Sequence, residues 1–161
     1  LAWLLDHGAD PRLRSYVGRL DHPQAGETPL HRAAAVGHDG TVLRALVAHG
    51  ADVSTPRADG ATAYQLAVRG GHAATAAVLA ELGAETHLRP TDELLSACMV
   101  NDAIRARALV AGSPTLLASL NSSERDALGL AISSGRHDAA SLMIALGWPL
   151  THEGEWGGTP L

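Results

Sequence analysis

Gly26-Glu27-Thr28-Pro29-Leu30-His31-Arg32-Ala33-Ala34-Ala35-Val36-Gly37-His38, followed by a helical run that ends in Gly50-Ala51-Asp52-Val53, is the stretch that decides the fold of this 161-residue chain. Thr28 stands where a helix needs its N-cap, with a side-chain oxygen to accept an orphan N–H of the first turn, and Pro29 follows at the first helical position. Leu30, Ala33 and Ala34 then fall on one helical face, and their small side chains allow close helix contact until Gly37 stops the run. A second helix carries Val42, Leu43, Leu46 and Val47 as an inward stripe, leaves Arg44 and Ala48 outside, and ends at Gly50. Beyond it Ala51 to Pro56 reads as extended chain and Asp59-Gly60 as the turn of a protruding finger.

The unit recurs. Gly60-Ala61-Thr62-Ala63-Tyr64-Gln65-Leu66-Ala67 repeats the opening 34 residues later, and with the Thr-Pro-Leu-His segment and the Gly-Ala-Asp ending the chain resembles the ankyrin-repeat family, whose period is about 33 residues. The resemblance implies an all-α ankyrin-repeat solenoid of stacked helix-turn-helix units with short β-hairpin finger loops. It also implies that His31 hydrogen-bonds within and between loops, with Gln65 as a partial substitute.

Read this way, residues 1–161 form one array. Residues 1–27 are a partial repeat with an enlarged finger, aligned by Gly8-Ala9-Asp10 on Gly50-Ala51-Asp52. Repeats follow at 28–61 and 62–91. Residues 92–125 form a degenerate repeat that opens near Asp92, runs through Leu94, Leu95, Ala97, Ile104 and Leu109, and has Gly112-Ser113-Pro114 in place of Gly-Ala-Asp. Another repeat covers 126–155, with Asp126, Leu128, Leu130, Ala131, Gly135, Leu142 and Ile144. Residues 156–161 start a truncated one. Stability in such arrays is roughly a sum of repeat and neighbour terms, so the irregular unit is the expected weak joint. The incomplete units at both ends mark the chain as a fragment of a longer protein.

Hydrophobic residues make up 46% of the chain without a single Phe, so the core is built from Ala, Leu and Val. All 12 basic residues are Arg, and with abundant Ala and Gly this suggests GC-rich codon usage and a bacterial source. Net charge is −5 without a dense basic tract, which disfavours nucleic acid as a partner. No apolar run is long enough to span a membrane, and the lone Cys98 excludes an internal disulfide framework, so a cytoplasmic monomer is expected.

Candidate chemistry is sparse. His38 and His72 occupy one position in successive repeats, about 8–10 Å apart by helix-packing distances, too far for the ligands of one zinc ion. Cys98 follows Ala97 as Ala34 follows Ala33, a small buried position. Ser134, His137 and Asp138 have the residue types of a catalytic triad but crowd one turn, where their side chains diverge. No catalytic residue, metal site or cofactor is expected.

The family's geometry implies binding through finger tips and the exposed ends of the first helices, which line a concave groove. Here that selects Ala58 and Asp59 at one tip, and Glu155 with Trp156 at the last, where Trp156 aligns with Asp59 and is expected to be exposed. The enlarged first finger adds Arg14 and Tyr16. Val36, Arg69, Met99 and Ser134 occupy matching places at the first-helix ends, where Arg69 offers a charge to an acidic or tyrosine-containing partner. Trp3 is expected in the second-helix stripe and Trp148 over the edge of the next repeat. The function expected is a protein–protein interaction module without catalysis of its own. The alternatives are a targeting or regulatory arm of a larger enzyme or toxin, or a structural spacer.

Overall fold

A computed structural model describes residues 2–15 and 26–149. They fall into two compact units, divided between His87 and Leu88. Unit 1 holds α1 (Ala2–Asp6), α2 (Pro29–Ala35), α3 (Gly40–Ala48), α4 (Ala63–Arg69) and α5 (Ala73–Glu81). Unit 2 holds α6 (Pro90–Met99), α7 (Ala103–Gly112), α8 (Ser122–Arg125), α9 (Ala127–Ser133) and α10 (His137–Ala145).

In unit 1 the first helices α2 and α4 pack on each other, as do the second helices α3 and α5, so two like hairpins lie side by side. Leu30, Ala34, Leu43, Leu46, Ala67 and Leu79 fill the core between them. The N-cap expected at Thr28 is in place, with the His31 side chain reaching back to complete a capping box, and Thr62 with Gln65 repeats the arrangement. Gly37 turns the chain at φ +74°, and His72 of the next hairpin packs directly over it.

The finger after α3 is not a β-hairpin, and among the described residues none is in a strand. The finger after α3 closes with Arg57 N–H donating to the Ala61 carbonyl (2.9 Å) and Gly60 N–H to the Arg57 carbonyl (3.0 Å). Side chains satisfy the amides a ladder would use, since Ser54 N–H donates to Asp52 and Ala61 N–H to Asp59. That local bonding replaces a partner strand.

Unit 2 follows the same plan with different caps. Its first helix begins at Pro90, before Asp92, and Asp92 takes the third-turn-residue role, accepting from Arg89 N–H at 2.8 Å. In the last repeat the chain is already helical at Ser122, ahead of Asp126, with Asn121 and Glu124 as the capping box. Sequence reading misses both starts because neither has the Thr-Pro signal. After α7 the missing Gly-Ala-Asp ending is replaced by turns that bury Leu116 and Leu120 in the core with Leu94, Leu95, Leu128 and Met143. The irregular repeat thus gains two buried leucines where the sequence reading places a weak joint.

Several apolar expectations also change. Ile104, Leu130 and Ile144, which the repeats run through, are exposed, and Trp3 stands out of its expected stripe, stacked on His7 at 4.1 Å. Trp148 does the reverse. It is 2% exposed, and its indole N–H donates to the Arg125 carbonyl at 3.1 Å, so it closes the core of its own unit.

Candidate functional site

In unit 1 the finger tip is fixed by buried charge. Arg57 grips Asp59 through two hydrogen bonds, Nε to Oδ1 at 3.2 Å and Nη2 to Oδ2 at 2.6 Å. Glu27 lies 3.9 Å from Arg57 on one side, and Arg69 approaches Asp59 at 3.9 Å from the end of α4. Burial by itself would raise the Asp59 carboxyl. The Arg57 hydrogen bonds and charge outweigh it, helped by the Ala61 amide and Arg69, and hold the group below the usual carboxylate range.

Asp59 and Arg69 therefore do not face solvent. Arg69 is buried, and the Asp59 side chain is 6% exposed. An arginine at the end of a first helix looks like a groove residue in sequence. Only the folded finger shows that its guanidinium is turned toward a carboxylate ten residues back. Residue spacing alone has no signal for that. The same burial removes the reason for expecting Trp156 to be exposed by alignment with Asp59; Trp156, Glu155 and Tyr16 lie outside the described residues.

What the tip does present is Ala58, exposed between the two pinned residues. Arg14 is exposed beside it: a Cβ on Gly26 would lie 3.5 Å from the Arg14 guanidinium and 4.0 Å from the Ala58 amide, so Gly26 brings these two candidates together. The base of the enlarged first finger is tied by Ser15 N–H to the Glu27 carbonyl (2.7 Å) and Gly26 N–H to the Ser15 carbonyl (3.2 Å). Arg32 on α2 and Val36 at its C-cap are four residues apart and both exposed, on the same side of the helix. Arg32 is the outward arginine that sequence reasoning passed over in favour of Arg69.

Unit 2 offers an open cleft of about 360 Å³, lined by Met99, Asn101, Arg136, His137 and Asp138 among others. The turns that border it differ in chemistry from those of unit 1. In unit 1, His72 fills the space over Gly37 and Gly70 and bonds the Ala35 carbonyl at 3.2 Å. In unit 2 the left-handed turn residue is Asn101 (φ +56°), and Arg136 follows Gly135 as His72 follows Gly71. Met99 is half-buried against the core at the cleft edge. Ser134 is exposed, but its hydroxyl donates to the Leu130 carbonyl at 2.6 Å, an arrangement for a helix end rather than for a nucleophile.

Burial pushes the Cys98 thiol up to about 12, so it remains a protonated core residue. Among the described residues no three His, Cys, Asp or Glu side chains gather as for a metal ion, and no helix is long and apolar enough to cross a membrane.

A family model described as ankyrin repeats (3 copies) matches residues 1–90. Among solved structures, the crystal structure of the human ASB11 ankyrin repeat domain is similar over 98% of this chain and 82% of that one, with 20% identity and a TM-score of 0.49. No curated protein matches the sequence.

Proposed function

The chain belongs to the ankyrin-repeat family, a family of protein–protein interaction modules, and on that premise we propose that it recognises a partner protein through finger tips and first-helix ends and has no catalytic activity of its own. The observation that carries this reading is the pinned finger. Four charged side chains, Glu27, Arg57, Asp59 and Arg69, hold the tip before any partner arrives, so Ala58 and the neighbouring Arg14 are presented with little ordering entropy left to lose.

The proposed contact set in unit 1 is Arg14, Tyr16, Val36 and Ala58, with Asp59 and Arg69 as supports behind it. Met99 and Ser134 belong to the contact set in unit 2, and Glu155 and Trp156 complete it. The test is affinity capture from lysate of the source cells with the parent chain and an Arg14→Ala, Tyr16→Ala, Val36→Ser, Trp156→Ala variant, followed by titration of the captured protein. A partner bound by the parent and at least 10-fold more weakly by the folded variant supports the reading. Equal binding by both sinks the assigned surface, and capture of nothing by either sinks the module.

A further inference from the structure

His31 differs from the other residues that share its place in the repeat. Each first helix is capped by a side chain three residues on, which reaches back to the N-cap amide: Gln65 takes the Thr62 N–H at 3.1 Å, Asp92 the Arg89 N–H at 2.8 Å and Glu124 the Asn121 N–H at 2.9 Å. At the first full repeat the acceptor is an imidazole nitrogen. Thr28 N–H donates to His31 Nδ1 at 3.1 Å, with the Thr28 hydroxyl 2.8 Å from the same atom. A backbone amide has only a hydrogen to offer, so Nδ1 must be bare and the ring proton must sit on Nε2.

Nε2 is buried without a well-formed hydrogen bond, in a ring that is 1% exposed. The backbone of Thr55 and Ala61, at either end of the finger turn, faces it and favours a charged ring, but burial and Arg57 outweigh that. The charged groups around it belong to the same network that pins the tip: Arg57 opposes a second positive charge, Asp59 favours one, and Glu27 and Arg69 complete the set.

We propose that His31 is an acid-sensitive latch on the finger of residues 51–61: uptake of a solvent proton at Nδ1 turns the cap acceptor into a donor aimed at the Thr28 amide, uncaps α2 and releases the finger. The two N–H groups cannot share that contact, and the imidazolium is left buried beside Arg57. Loss of the finger would withdraw Ala58 from the surface described above, and this last consequence rests on the proposed function.

Burial, then Arg57, lowers the His31 pKa to about 4, against its ordinary 6.5. The folded value lies below the unfolded one, so the latch contributes in full above pH 6.5 and its contribution is lost as pH falls from there through 4. An opened finger frees the ring to titrate normally, so between pH 7 and pH 5 the open-to-closed ratio rises roughly 20-fold.

The experiment is amide hydrogen exchange by NMR on the chain alone, corrected for intrinsic rates. Thr28, Arg57, Gly60 and Ala61 are expected to lose about 20-fold in protection from pH 7 to pH 5 while the α5 amides keep theirs. His31→Gln, which copies the cap at Gln65 and keeps Glu27 and Asp59, is expected to lose none. An equal loss in His31→Gln, or a parallel loss throughout α5, overturns the latch. Should His31→Gln fail to fold, imidazole ¹⁵N shifts of the parent decide: a bare Nδ1 at pH 7 titrating well below 6.5 supports the proposal, and a protonated Nδ1 or an ordinary titration overturns it. No partner enters these measurements, so failure of the binding reading at pH 7 leaves them untouched.

Discussion

Gly37→Ala tests the contact between successive hairpins. At φ +74° an L side chain is strained, which costs about 1 kcal/mol. The larger effect is steric, since the new methyl would lie 2.5 Å from His72 Nδ1 and 2.7 Å from its Cγ. The ring cannot stay. It is held between Gly37 and Gly70, where a Cβ on Gly70 would also meet it at 2.6 Å, and its displacement breaks the 3.2 Å bond to the Ala35 carbonyl. Losing that bond and the packing adds about 2 kcal/mol, so the substitution is expected to cost about 3 kcal/mol in all. Gly135→Ala supplies the comparison, because that glycine has the same φ of +74° with nothing within 4 Å of the added atom, and it is expected to cost only the strain of about 1 kcal/mol. Urea unfolding followed by circular dichroism measures both, together with Gly37→Ala in a His72→Ala background, where the steric part should vanish. Equal costs at Gly37 and Gly135, or no relief in the double variant, would refute the packing argument.

Asp59→Ala leaves the buried Arg57 and Arg69 without their shared carboxylate and is expected to cost about 3 kcal/mol, against less than about 0.5 for a solvated finger tip; chemical denaturation separates the two. Trp148→Ala should cost about 3–5 kcal/mol by emptying a core position, and Trp3→Ala no more than about 0.5, a contrast that thermal melts read directly. His49 is predicted to titrate above its ordinary value, first because of its bond to the Ala45 carbonyl and then because of Asp6 at 3.1 Å. Its raised folded pKa means the interaction contributes below pH 6.5 and is lost as pH rises through the folded value; Asp6→Asn should lower that value in an NMR titration, and an unmoved titration would count against the pair.

Thr28-Pro29 and Gly37 fixed α2 within the sequence because capping and left-handed turns are local chemistry, decided by neighbours within four residues. The same holds for Ala33, Ala34, Ala97 and Cys98, whose small size in a recurring register predicts burial before any coordinate is known. Local rules failed where one residue type can fill two roles. Asp92 and Glu124 are equally good as caps or as first-turn acids, so the starts of α6 and α8 appeared only once their backbone partners were in place.

The orientation of long side chains was beyond sequence reach for a different reason. Whether Arg69 faces out or Arg32 does, and whether Trp148 covers a neighbour or plugs its own core, depends on a carboxylate or a carbonyl that folding brings from elsewhere in the chain. The period and composition by themselves determined an array of short, small-residue helices in the ankyrin pattern, because helix signals and hydrophobic spacing are written residue by residue. Only the tertiary structure decided which charges are buried at the finger, that His31 caps through a bare nitrogen, and that a cleft lies where Arg136 takes the place of His72, since each requires two segments of the chain to meet.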